Sequence, residues 1–206
     1  LVAGASKGEG LGNKFLSHIR QVDAIAQVIR CFDDPNITHV AGSVDPVRDI
    51  EIINTELCLA DLESVDKRLQ RIAKLAKSGD KDARVEAPIL EKVSAALGDA
   101  IPVRAQGLTE DELEILKDLT LLTAKKSLYV ANVGEDEVSD YSGNEFVKQV
   151  EEYAAKEGSG VVVVSARIES EIAELSDEEA TAFLADLGLE ESGLTKLIKA
   201  SYSLLG

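Results

Sequence analysis

Tryptophan and methionine are absent from this 206-residue chain, aromatic residues make up 4% of it, and it holds two cysteines and four prolines. So few rings argue against an aromatic-rich β-sandwich and for an aliphatic, helix-rich interior. The missing methionine leads us to expect that the natural start lies upstream of Leu1. No apolar run approaches the ~20 residues that a membrane span needs, and the first residues lack a basic-apolar-small signal pattern. The expectation is a soluble, cytoplasmic chain without a membrane partner. Cys31 falls in an apolar run and Cys58 in a helical pattern. Both read as small buried hydrophobes rather than as a disulfide or a metal pair.

Basic residues are also scarce, 22 against 38 acidic, for a net charge of -16. A surface-wide nucleic-acid footprint, and sequence-specific DNA binding with it, is thereby excluded, because neutralising phosphates needs clustered Lys and Arg. One stretch departs from this balance. Between Lys67 and Arg84 seven basic residues accompany two acidic ones.

Glycine, by contrast, is concentrated at the beginning. LVAGASKGEGLG carries Gly4, Gly8, Gly10 and Gly12, with Lys7 among them. A phosphate-cradling loop would follow a strand and end in Gly-Lys-Ser/Thr, and neither condition is met. LGNKFLSHIRQ then places Leu11, Phe15 and Ile19 on one face of a short amphipathic helix.

Three short runs rich in aliphatic residues read as buried strands: residues 24–32, 127–133 and 160–166. Between the last two, NEFVKQVEEYAAKEG forms a helix, with Phe146, Val150 and Tyr153 on one face and Gly158 closing it. A strand–helix–strand unit of this length is parallel and right-handed. Helices alone follow, at IESEIAEL, at SDEEATAFLADLG with a Ser176/Glu179 capping box, and at SGLTKLIKASYSLL.

Residues 45–123 differ in kind. Asp45-Pro46 is an N-cap followed by proline at the first helical position, and an uninterrupted helical pattern runs to Lys77. Its length, ~50 Å, exceeds the width of a small domain, so it should project. Leu62, Val65, Leu69, Ile72 and Ala76 form its stripe. After Ser78-Gly79-Asp80, a second segment offers Val85, Ile89, Val93 and Leu97. The two read as an antiparallel, coiled-coil-like hairpin, with Pro88 expected to kink the second helix or delay its start. A Thr109/Glu112 capping box opens a further helix, Leu108 to Leu119. The expected domains are 1–44 with 124–206 as part of a parallel α/β domain, and 45–123 as an inserted arm. The basic stretch sits at the arm's tip, where Arg71, Lys74, Lys77 and Lys81 are either solvated surface or a contact for RNA or an acidic partner.

Ligands of open parallel sheets bind beyond the carboxyl ends of the strands. That rule selects Asp33 to His39, Asn132 to Asp136, and Ser165 to Arg167. A strand-end Asn132 can offer its amide to a purine, Glu135 can accept a base N–H, and Ser165-Ala166 can supply backbone N–H groups. A strand-end Asn is also a common turn former.

LVAGASKGEGLGNKFLSHIR, NITHVAGSVDPVRDIEIINTEL, YVANVGEDE and ARIESEIAEL together resemble the YchF family, the Obg-like ATPases among the translation-factor-related P-loop NTPases. The resemblance runs along essentially the whole chain. It implies the C-terminal half of a P-loop NTPase parallel sheet carrying an inserted antiparallel helical arm. The phosphate loop and the switch residues that hold Mg2+ would precede Leu1, and a small β-rich TGS domain would follow Gly206. Implied function is binding and hydrolysis of ATP, and more weakly of GTP, by a ribosome-associated NTPase, with this chain inactive alone. The alternative is a non-enzymatic RNA- or ribosome-binding module acting through the arm. Asn132, Val133 and Glu135 match the position of Asn-Lys-x-Asp in related enzymes, whose Asp reads guanine N1–H and the 2-amino group; Ser165 and Ala166 match the last base-contacting loop. The glycines Gly4, Gly8, Gly10 and Gly12 become a switch loop. Leu1 stands where related enzymes carry a water-positioning Gln, which leaves His39 as the candidate for that role.

Overall fold

The computed structural model describes residues 12–34 and 42–206, with side chains in the first stretch from Phe15 onward. In chain order the elements are α1 (Gly12–Ile19), β1 (Ala24–Arg30), α2 (Pro46–Lys77), α3 (Lys81–Gly98), α4 (Glu110–Leu116), β2 (Lys126–Asn132), α5 (Glu145–Glu157), β3 (Gly160–Val164), α6 (Ala166–Ile172), α7 (Asp177–Asp186) and α8 (Gly193–Leu205). Short 3-10 turns occupy Val103–Ala105, Lys117–Leu119 and Leu122–Ala124. Two compact units result. One holds the described residues up to Asp23 with Glu51–Lys126, and the other Ala24–Ile50 with Ser127–Gly206.

The second unit is built on a three-stranded parallel sheet in the order β1-β2-β3. Alternation along the strands separates two cores. Tyr129, Ala131 and Val163 join Ile29 and Cys31 and pack with Val147, Val150 and Ala154 of α5. Leu128, Val130, Val162 and Val164 face the other way, against Leu197, Ala200 and Leu204 of α8. Period-two exposure of aliphatic residues to helices on both faces is what a doubly covered parallel sheet requires. Local signals set the ends of these helices. Asn144 caps α5 by accepting the Val147 N–H at 3.0 Å, and Gly158 closes it at φ 70. The Ser176/Glu179 capping box opens α7. A carboxylate reaches α8 from elsewhere: Glu169 accepts the N–H groups of Gly193 at 2.6 Å and Leu194 at 3.0 Å. Gly193 permits that approach, since a Cβ there would lie 2.8 Å from both Glu169 Oε1 and Val164 Cγ1.

In the first unit α2 and α3 pack along each other. Arg48 N–H donates to the Asp45 carboxylate at 3.1 Å, so the cap precedes Pro46 as its sequence implies. Val65 and Ile72 of α2 share a core with Ala83, Leu90, Val93 and Leu97 of α3, and Leu62, Leu69 and Ala76 pack against it. Arg68 clasps Glu86 through two hydrogen bonds, 2.5 and 2.9 Å, while Ser94 donates to Asp66 at 2.7 Å. The inward face of α3 is therefore Ala83, Glu86, Leu90, Val93 and Leu97, with Ile89 partly buried against the same core, so that of the expected Val85, Ile89, Val93 and Leu97 only Val85 is turned out. Four residues turn about 400°, so steps of four drift by about 40° each and carry Val85 a third of a turn from Leu97. Val85 is accordingly 59% exposed. α3 also begins at Lys81 and runs through Pro88, because the Asp80 carboxylate caps it by accepting the Ala83 N–H at 2.8 Å. In α1 the buried side chain is Leu16, whereas Phe15, expected on the inner face, is exposed. The Thr109/Glu112 capping box forms at the start of α4.

One carboxylate ties the return of the chain to α2. Asp61, fully buried, accepts the Leu122 N–H at 2.8 Å, the Thr123 N–H at 2.7 Å and the Thr123 hydroxyl at 2.8 Å. Burial pushes its carboxyl above the usual aspartate range, against the downward pull of those donors and of Arg20, 3.8 Å away. Thr123 Oγ1 in turn accepts the Val103 N–H at 3.0 Å. Asp61→Asn turns an amide N–H toward a main-chain N–H of Leu122 or Thr123 that can only donate; we expect it to cost about 3 kcal/mol, read as a lowered urea midpoint with an unchanged slope.

Candidate functional site

Parallel register gathers the chemistry at one end of the sheet. Asn132 lies opposite Val164 at the ends of β2 and β3, and pairing continues one step beyond, with the Val133 N–H donating to Val164 O at 2.9 Å. On the other side the Cys31 N–H donates to Asn132 O at 2.7 Å. The three following loops thus leave from one edge and enclose a cavity of about 950 Å³. Its walls are the segments 31–34, 132–137 and 165–167, closed by Gly143–Phe146 at the start of α5.

Asn132, Val133, Glu135, Ser165 and Ala166 are all brought to this cavity. Their parts differ. Asn132 Oδ1 accepts the Ala166 N–H at 2.9 Å, which locks the second and third loops together. The same bond commits the N–H expected to face a base, and Asn132 Nδ2 has no hydrogen-bond partner among the described residues. Ser165 is 1% exposed, and its Oγ has no hydrogen-bond partner among the described residues. A buried hydroxyl left unpaired costs about 1–3 kcal/mol, so a polar group entering the cavity would relieve it. Val133 is 2% exposed and packs into the core with Cys31, Ala131 and Val138. Only its backbone is positioned to serve a ligand. Glu135 pairs with Arg167 of α6.

Asn144 is a part of the site that the motifs passed over. Its Nδ2 donates to Cys31 O at 2.9 Å and to Glu137 Oε2 at 3.1 Å, while its Oδ1 caps α5. One side chain so joins the first loop, the second loop and the fourth wall. Sequence gave only its capping signal; strand–helix–strand topology, which returns the start of α5 to the strand ends, could have placed it here. Arg30 stacks over Phe32, 4.7 Å from the ring centroid, and fixes the exit of β1.

The lining is strongly acidic: Asp33, Asp34, Glu135, Asp136, Glu137 and Glu145 against one cation, Arg167. Cys31, with no exposed surface, has its thiol pushed up to about 12 by burial, with smaller contributions from Glu137 and Asp49. Both cysteines are buried and outside any disulfide among the described residues, in line with their reading as small hydrophobes.

Other candidates fall elsewhere. Leu1, Gly4, Gly8, Gly10 and His39 lie outside the described residues. Gly12 is the first residue of α1. Arg71, Lys74, Lys77 and Lys81 are not in the lining of this cavity; all four are exposed, and none has an ion-pair partner among the described residues. Their neighbours Lys67 and Arg68 are paired, with Glu63 and Glu86. Among the described residues no group of three or more His, Cys, Asp or Glu is placed to hold a metal ion, and no helix is long and apolar enough to cross a membrane.

At pH 8 native Cys31 should alkylate with iodoacetamide ~1,000-fold more slowly than a free cysteine, because almost none of it is thiolate. Peptide-resolved mass spectrometry distinguishes it from Cys58, and labelling at the rate of the unfolded chain would refute the buried assignment.

No family model matches the chain. Relatives do. It is 62% identical over 206 residues to the ribosome-binding ATPase YchF of Bacillus subtilis, and 54% and 51% identical over 205 residues to the proteins of that name from Haemophilus influenzae and Escherichia coli O157:H7. Each match covers 100% of this chain and 56% of the relative, so the chain spans a little over half their length. The structure of the Schizosaccharomyces pombe YchF GTPase superposes with a TM-score of 0.82 at 36% identity, covering 95% of this chain and 53% of that one. Along all of its length the chain is similar in sequence to the YchF proteins, and it shares their fold.

Proposed function

We propose that the cavity at the strand ends is the base pocket of a ribosome-associated NTPase that binds and hydrolyses ATP, and GTP more weakly. The observation that carries this is the clamp between Asn132 and Ala166 beside the unpartnered Ser165 hydroxyl. Asn132 Nδ2 donates to purine N7, an acceptor in adenine and guanine alike, and the Ser165 hydroxyl meets the base or its ribose. Six carboxylates around the opening repel a triphosphate and suit the amino-bearing end of a nucleotide. The phosphates therefore point away from this lining. We place the phosphate loop and the Mg2+ ligands in sequence ahead of Leu1, and the described residues do not themselves form a ligand set for that ion. Mg2+ supplies charge neutralisation across the β- and γ-phosphates when bound. His39 is the group we assign to the attacking water, with hydrophobic Leu1 unable to orient it. Alone, this chain is expected to be inactive.

Residues 1–44 and 124–206 form the nucleotide-binding domain in this reading, and 45–123 its inserted arm. Support comes from β1 and β2 being neighbours in one sheet although α2, α3 and α4 intervene in sequence. Relatives named as ribosome-binding, and four exposed cations at Arg71, Lys74, Lys77 and Lys81 that have no ion-pair partner among the described residues, favour the arm as a polyanion contact in a cytoplasmic protein.

Glu135→Asp in the intact protein should raise GTP affinity relative to ATP by ~10-fold, because a shorter carboxylate returns the acceptor geometry that reads guanine. Unchanged selectivity would remove Glu135 from the base pocket. Val133 is not a useful companion site, since a lysine there would enter the core. Reversing Lys74, Lys77 and Lys81 to Glu should cut co-sedimentation with ribosomes at least ~10-fold at moderate salt, and intact co-sedimentation would leave these side chains as solvated surface.

A further inference from the structure

The only cation lining the cavity among the described residues has no role so far. Arg167 is the second residue of α6, and its Nε meets Glu135 Oε1 while Glu171 Oε1 lies 3.9 Å from the same nitrogen. No partner is found for its terminal amino nitrogens among the described residues. The side chains of Arg167 and Glu135 are 74% and 41% exposed, too wet for their pairing to contribute much to stability. An ion pair that does little for the fold, at the mouth of a ligand cavity, is free to serve the ligand.

We propose that Arg167 and Glu135 together read the Watson–Crick edge of adenine, with an Arg167 N–H donating to ring N1 and the Glu135 carboxylate accepting from the 6-amino group. The inference rests on the base-pocket reading of the cavity. Adenine and guanine differ only at positions 1, 2 and 6. A lone carboxylate favours guanine, because it accepts both N1–H and the 2-amino hydrogens. Arg167 changes that preference by occupying one carboxylate oxygen and placing donors beside it. The pair then presents one acceptor and one donor side by side. Adenine offers the complement, a 6-amino donor and an N1 acceptor. Guanine offers O6 and N1–H, so it sets acceptor against acceptor and donor against donor, and a site that leaves such groups unpaired discriminates strongly. Arg167 is thus a specificity residue, and Glu135 alone is not the determinant of base choice.

Equilibrium binding of ATP, GTP and 1-deaza-ATP to the intact protein tests this. Arg167→Ala should weaken ATP ~10-fold and leave GTP unchanged or tighter, with the thermal midpoint unmoved. Wild-type protein should bind 1-deaza-ATP, which lacks the N1 acceptor, ~10-fold more weakly than ATP, and Arg167→Ala should abolish that difference. An unchanged ATP-to-GTP ratio in Arg167→Ala, or equal binding of ATP and 1-deaza-ATP by the wild type, overturns the proposal. Asn132→Ala separates the two levels of inference. If it weakens ATP and GTP together while Arg167→Ala leaves their ratio alone, only the Arg167 assignment falls. If Asn132→Ala weakens neither nucleotide, the base pocket itself is misplaced.

Discussion

Parallel pairing of β2 with β3, in the register that sets Asn132 opposite Val164, is the constraint on which the site depends. From it follow the continued bond from Val133 to Val164 and the reach of the Asn132 amide to Ala166. A slip by one residue would reverse every side chain between the two faces. Tyr129 and Ala131 would exchange cores with Leu128 and Val130, and Asn132 would turn away from the third loop. The register is enforced by apolar burial on both faces, so the cavity inherits its geometry from the packing of α5 and α8 rather than from interactions of its own.

Around that frame the loops are secured by polar side chains that hold more than one segment each. Asn144 satisfies main-chain groups of the first loop and of α5 while bonding Glu137. Glu169 caps α8 from α6, across the close approach that Gly193 allows. Buried polar groups with all their bonds made are rigid, because any departure leaves a donor or acceptor unpaired. Ser165 stands apart as a buried hydroxyl in the wall of the cavity that lacks such a bond among the described residues. The contrast between satisfied frame and unsatisfied lining is what separates the parts of this domain that hold it together from those available to a ligand.

In the other unit the same logic serves specificity of packing. Asp61 and Glu86 occupy positions in otherwise apolar helix faces, and each is matched by donors at short range: three groups of Leu122 and Thr123 in one case, the guanidinium of Arg68 in the other. Aliphatic stripes on two long helices can slide by a turn at small cost. A carboxylate that must find its donors cannot. The outward cations Arg71, Lys74, Lys77 and Lys81 have no such partners among the described residues.

Sequence alone determined what depends on near neighbours. Asp45-Pro46, the Thr109/Glu112 and Ser176/Glu179 boxes and Gly158 each act within four residues, so these helix ends were legible, as were the three strands from their aliphatic runs, whereas the Asp80 cap of α3 was masked by Pro88. That the strand-end loops, with Asn132, Glu135, Ser165 and Ala166, meet around one cavity was legible because parallel topology brings successive strand ends to the same edge. Tertiary structure decided which way side chains face once elements meet. It sent Val133 into the core, took Glu86 inward in place of Val85, exposed Phe15 and buried Leu16. It also brought Asn144 to Cys31 and Arg167 to Glu135. Those choices turn on contacts between segments distant in the chain, where a rotation of about 40° per helical step, or one residue of register, exchanges inside for outside and no local pattern records the outcome.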